Sequence, residues 1–300
     1  MPRLTLSIPS FGPFYGPGRL HEVLETARLA EAAGVDTVIV PDHVVMSDRT
    51  DRYEWGPFPF PIDVPWLEPL TVLAAIAAVT ERIRLATGIL IAPLRPAIVL
   101  AKTAATLDVL SRGRLDLGVG VGWQKEEFDA AGLDYALRGR RLTDTIAACL
   151  ALWTDSPASF DSETVRFENV WCEPRPVQDR IPLWFSGTLT PRNVDRIVRL
   201  GDGWIPIMNA TRDDLAQGAE RLAAALEAAG RDPARLRIRG DLGVVTGDDR
   251  RPDLARTLAR AHDLAQAGAT DVQLAMLAFV RKPERQAEWF EELRERWAAI

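Results

Sequence analysis

His43 follows Pro41-Asp42 directly after a continuous apolar run, Thr37-Val38-Ile39-Val40. An imidazole at a strand's end is a group that gives or takes a proton near neutral pH. Three other stretches share its setting. Gly118-Val119-Gly120-Val121-Gly122-Trp123 closes the run that begins at Leu115, and Thr87-Gly88-Ile89 interrupts the run from Ile83 to Ile91. Glycines at the end of a buried strand let a flat ligand lie close on the backbone, since no Cβ holds it off. Ser186-Gly187-Thr188 precedes a helix that opens at Pro191. Small residues there offer either a nest of free N–H groups that favours phosphate or a plain helix cap. Together they describe proton transfer beside a planar, phosphate-bearing ligand.

Other side chains carry two readings each. Asp42 diverges from His43 in extended chain, so it serves as a cofactor or backbone hydrogen-bond partner rather than as the charge partner of His43. Trp123 stacks on substrate or ring. Glu126 falls one helical turn after it and either approaches the cofactor or, with Glu127, simply favours a helix N-terminus. Arg138, Arg140 and Arg141 either contact an anionic tail or form a solvated basic helix start. His21 and His262 fall within outer helices and read as surface or packing residues. Three scattered histidines in no paired spacing, with Cys149 and Cys172 in no Cys-x-x-Cys, leave no metal site to propose. The Gly-x-Gly-x-Gly spacing is not a dinucleotide fingerprint, and no Gly-x-Ser-x-Gly occurs.

The elements that must position these residues alternate strictly. Strands are predicted over 4–9, 37–40, 83–91, 115–121, 182–185, 203–206, 236–245 and 271–275. Helices are predicted over 21–33, 70–79, 98–110, 142–153, 194–200, 215–229, 254–267 and 284–297. Such alternation selects a parallel sheet, and eight units select closure into a (β/α)8 TIM barrel read as one domain over 1–300. Two segments exceed the minimal repeat. Met46 to Trp66, rich in proline and aromatics, lies on the face where barrel sites form. Trp153 to Val177 includes a candidate hairpin over 160–170.

The 300 residues are 47% hydrophobic and 26% charged, enough for a large packed core. A net charge of −6 without a basic patch argues against nucleic acid. Neither a signal peptide nor a bilayer-length apolar run is evident, so a cytoplasmic protein that does not enter a membrane is expected.

Taken together, Pro41-Asp42-His43, Thr87-Gly88-Ile89, the Gly118-to-Trp123 run with Glu126-Glu127-Phe128, Arg138-Gly139-Arg140-Arg141-Leu142, and Ser186-Gly187-Thr188 followed by Leu200-Gly201-Asp202-Gly203-Trp204 resemble the luciferase-like monooxygenase family. They look most like its branch that uses the deazaflavin coenzyme F420. The resemblance covers nearly the whole chain. It implies an F420-dependent oxidoreductase moving a hydride between the deazaflavin C5 and a small organic substrate, with His43 as proton donor or acceptor. It implies a cis peptide at Gly88–Ile89, phosphate held near Ser186, Gly187 and Thr188, and a homodimer. Some deazaflavin relatives carry a catalytic glutamate where Trp123 stands, and this chain departs from them. Flavin-using relatives often place an aromatic where Gly139 stands, which favours F420 over the alternative cofactor FMN and a monooxygenase reaction with oxygen.

Overall fold

The apolar runs become the staves of a closed cylinder. The computed structural model describes residues 1–300. The elements are β1 (Arg3–Ser7), α1 (Val23–Ala32), β2 (Thr37–Val40), α2 (Pro69–Val79), β3 (Arg84–Thr87), β4 (Leu90–Ile91), α3 (Ala97–Leu110), β5 (Leu115–Gly120), α4 (Lys125–Ala130) and α5 (Arg138–Thr154). They continue with β6 (Ala158–Asp161), β7 (Arg166–Val170), β8 (Leu183–Ser186), α6 (Pro191–Leu200), β9 (Gly203–Ile205), α7 (Arg212–Ala228), β10 (Arg237–Asp241), α8 (Leu254–Gln266), β11 (Asp271–Ala275) and α9 (Gln286–Ala298). The strands pair in parallel in the order β1, β2, β3, β5, β8, β9, β10, β11, and β11 returns to β1, which closes a TIM barrel. The antiparallel hairpin β6–β7 lies outside it.

Four differences from the sequence pattern bear on the architecture. The run over 83–91 is two strands, β3 and β4, with a cis peptide at Gly88–Ile89 between them. The strand over 236–245 stops at Asp241, where Gly243 turns the chain at φ +59. The helix expected from Leu142 opens at Arg138, since a 3-10 turn over Tyr135–Leu137 leads straight into it. The polar stretch after Trp123 forms a helix of its own, α4, which the count of eight left out.

Outward-facing strand residues such as Leu6, Val38, Leu85, Leu117 and Leu274 join the inner faces of the helices in one apolar core. The barrel interior is polar at its N-terminal end. Asp116 accepts from Arg84 and, at 3.1 Å, from Arg237, which also pairs with Asp271. Trp184 fills the next layer, and Gly203 leaves room for it, because a Cβ there would overlap the indole. The plug leaves the C-terminal end of the barrel as the open one. No helix is long and apolar enough to cross a membrane.

Candidate active site

The carboxyl ends of the strands surround a cavity of about 580 Å³. His43 lines it, one residue beyond Asp42 at the end of β2. Its Nδ1 lies 3.1 Å from Oε2 of Glu127, and the other carboxylate oxygen of Glu127 accepts from the Val44 N–H at 2.9 Å. Glu127 is fully buried, and both its oxygens are engaged on the segment that carries His43. Gln124 repeats the device one turn earlier, accepting from Ser47 N–H at 3.0 Å and donating to the Ser47 carbonyl at 3.2 Å. The start of α4 therefore holds the histidine loop by four hydrogen bonds. The second imidazole nitrogen, Nε2, has no partner in the protein, and the ring packs edge-on against Trp66 at 4.7 Å.

Glu126 does not reach the cavity. It pairs with Arg52 at 3.1 Å, while Glu127, one position on and so about 100° around the helix, turns inward. Asp42 takes the backbone role open to it in the sequence and gains a cation. Its carboxylate accepts from Ile91 N–H at 2.8 Å and from Arg95 at 2.6 and 3.1 Å. Burial works against the charge of Arg95, but Asp42 and Glu68 outweigh it and hold its pKa above the ordinary value. Burial likewise opposes the Glu68 carboxylate, and its bonds from Arg95 and Thr71 prevail, so its pKa lies below the usual range. Asp42 thus ties the end of β2 to β4 and to the start of α2, which Glu68 caps.

Thr87 is also not a cavity residue; it is buried and donates to the Gly118 carbonyl at 2.7 Å. Gly88, Ile89, Gly120, Gly122 and Trp123 all border the cavity. The glycines also have a reason within the protein itself. A Cβ on Gly120 would meet Ile89 Cδ1 at 2.8 Å, and one on Gly122, at φ +74, would meet Ile91 Cγ2 at 2.7 Å. They make room for the isoleucines that wall the cavity.

At the opposite wall Ser186, Gly187 and Thr188 line the cavity after β8. Asn193 donates to the Ser186 and Thr188 carbonyls at 3.4 and 3.1 Å, and Thr190 caps α6 by accepting from Asn193 N–H. No backbone carbonyl accepts from the N–H of Thr188 or Leu189. Arg138 lies over the Tyr135 ring at 3.8 Å with its Nε unpartnered. Arg140 pairs with Glu163 and Arg141 reaches the Pro93 carbonyl, so Arg138 alone of the three borders the cavity.

The 46–66 insertion supplies aromatic walls, with Phe11 stacked on Trp66 at 4.2 Å and Trp123 packed against Tyr53 and Phe58 at 5.2 and 5.7 Å. Gln124, Glu127 as a partner of His43, and Arg239 on the cavity join the site beyond the residues expected from sequence. The last had a visible signal: Arg237, Arg239 and Asp241 alternate charge within one strand, a period that aims them at the barrel interior.

The model of the family described as luciferase-like monooxygenase matches residues 4–300. The uncharacterized protein Rv0953c of Mycobacterium tuberculosis is 36% identical over 267 residues, covering 87% of each chain. The phthiodiolone/phenolphthiodiolone dimycocerosates ketoreductase of the same species is 30% identical over 230 residues, covering 74% of this chain and 60% of the relative. Among solved structures, the monooxygenase RslO1 from Streptomyces bottropensis aligns over 99% of both chains with a TM-score of 0.82 at 21% identity. An F420-dependent secondary alcohol dehydrogenase, in complex with an F420-acetone adduct, aligns over 99% of both chains with a TM-score of 0.74 at 16% identity.

Proposed function

Since the chain belongs to the luciferase-like monooxygenase family, we propose that it is an F420-dependent oxidoreductase acting on an organic carbonyl or the matching secondary alcohol. The observation that carries this reading is His43, a cavity residue with one ring nitrogen held by a buried carboxylate and the other free. The residues present fit a flat ring with an anionic tail. Gly88, Ile89, Gly120, Gly122 and Trp123 would flank the ring. Ser186, Gly187 and Thr188, with the free N–H groups of Thr188 and Leu189, would hold the phosphate, assisted by Arg138 and its unpartnered Nε. Asp42 borders the cavity and would act mainly through Ile91 and Arg95.

When bound, F420 supplies or accepts the hydride at its C5 carbon. His43 moves the proton that balances it. With Nδ1–H donated to Glu127, the neutral ring presents the Nε2 lone pair, which takes the hydroxyl proton as a secondary alcohol loses its hydride. The protonated ring presents Nε2–H, which protonates the carbonyl oxygen in the reverse direction. Glu127 fixes ring orientation and tautomer without touching substrate. The aromatic walls exclude water and favour an apolar substrate. The ketoreductase relative supports carbonyl chemistry.

The test is parallel fluorescence titration with F420 and FMN, followed by oxidation of reduced F420 on adding a panel of apolar ketones. Saturable F420 binding and ketone-dependent oxidation are expected; an inability to bind F420 removes the reading. A second reading is a monooxygenase using reduced FMN and oxygen, favoured by the barrel's likeness to RslO1. FMN binding in preference to F420, with oxygen uptake, would select it.

A further inference from the structure

β10 reads Arg237-Ile238-Arg239-Gly240-Asp241, and its alternate residues face the barrel interior. Arg237 is fully engaged, by Asp116 and Asp271. Arg239, one layer nearer the cavity, is 3% exposed, and its Nε and Nη1 are buried without a hydrogen-bond partner. No carboxylate pairs with it. Its guanidinium lies 4.8 Å from the centre of the Trp184 ring, which also carries Arg237 at 4.6 Å, so packing fixes the group where it stands. Burial lowers its pKa to about 10, Asp271 and Asp116 in the layer below oppose that fall and Arg237 adds to it, so it is a cation at neutral pH. It borders the cavity, whose lining also includes Asp241, Gln273 and Ser7.

A buried cation with unmade hydrogen bonds weakens the ligand-free protein, because its donors have given up water for nothing. Such a group is retained where a ligand completes it. The ligand must bring electron-rich oxygen on an edge narrow enough to reach a floor beneath aromatic walls. We propose that Arg239 is an oxyanion-binding subsite at the cavity floor, receiving the oxygen-bearing edge of a planar ligand. Two sources share that chemistry: the pyrimidinedione edge common to flavins and deazaflavins, which rests on the reading proposed above, and the carboxylate of an aromatic substrate, which does not.

The experiment uses the full-length protein as wild type, Arg239→Lys, Arg239→Gln and Arg239→Met. Melting temperature is measured without ligand, and dissociation constants are measured for F420, for lumichrome (a ring with the pyrimidinedione edge and no phosphate) and for benzoate. Arg239→Gln should melt no lower than wild type, or about 2 °C higher, once the unpaired charge is gone. Its affinity for at least one probe should fall about tenfold or more, with Arg239→Lys between the two. Equal losses for F420 and lumichrome identify the cofactor ring as the source; a loss for benzoate alone identifies the substrate. Wild-type protein that binds benzoate but neither ring compound removes the deazaflavin reading, and the benzoate series still decides the role of Arg239. Affinities within about twofold of wild type for every probe, melting temperatures that drop in both Gln and Met variants with affinities unchanged, or a wild type that binds none of the three would overturn the subsite.

Discussion

His43 and Glu127 are separated by 84 positions and meet through a single hydrogen bond, which divides their labour. His43 reaches the cavity and Glu127 does not. His43→Ala should therefore lower turnover by about 10²–10⁴-fold while the dissociation constant for F420 stays within about twofold. Stopped-flow oxidation of reduced cofactor and equilibrium titration check the two halves separately, and unchanged turnover would take His43 out of the mechanism. Glu127→Gln keeps the shape of the contact but removes its charge and frees the ring to change tautomer. Turnover should drop about 10–100-fold, with a displaced pH–rate profile that a purely structural role would not move. The histidine's place at the cavity was legible in the sequence because the end of a barrel strand opens onto the barrel mouth. The glutamate was not, because two adjacent glutamates differ only in helical phase, and phase is set by how α4 packs. Asp42 sits between these cases: its divergence from His43 was readable, whereas Arg95 lies 53 residues away and nothing local announces it.

Elements hold the site through their ends. α6 begins where Thr190 accepts from Asn193 N–H, and Asn193 in turn binds the carbonyls of Ser186 and Thr188. The helix cap and the candidate phosphate loop are one structure, so the two readings of that loop are not rivals. Thr190→Ala should cost about 1 kcal/mol in denaturant unfolding and weaken F420 more than lumichrome, since only F420 carries the phosphate. Equal fold-losses for the two probes would separate the cap from the phosphate. The turn after β5 behaves differently. Gly122→Ala meets both a positive φ and the Ile91 side chain, so it should destabilise the fold by about 1–3 kcal/mol and displace a cavity wall. The same glycines were visible in the sequence as a feature of strand ends. Their purpose was not, because the isoleucines they accommodate come from the neighbouring stave, interrupted at Gly88–Ile89.

Across the whole molecule the barrel's two ends do different work. The order of strands and helices was readable from alternating apolar runs, and closure followed from their number. The contents of the cylinder were not readable, because Arg84, Asp116, Arg237 and Asp271 become neighbours only once β3, β5, β10 and β11 curve round to face one another. That network is buried, and Asp116 carries two arginines by itself. Asp116→Leu would leave Arg84 without its carboxylate and Arg237 with Asp271 alone. Removing one partner of a buried ionic network costs about 3–5 kcal/mol, since the remaining charges keep their desolvation and lose their attraction. A replacement of the whole set by apolar residues would cost far less for the same reason. Asp116 lies below Trp184 and does not border the cavity, and it reaches Arg239 only through its field, so the main effect should fall on stability. Chemical denaturation of Asp116→Leu should show the loss at an unchanged denaturant slope, with cofactor affinity of the folded protein within about twofold of wild type. A fall in affinity without a fall in stability would mean that the plug and the cavity floor are coupled through Arg237, Trp184 and Arg239, and that charge in the lower layer sets the field the ligand meets above.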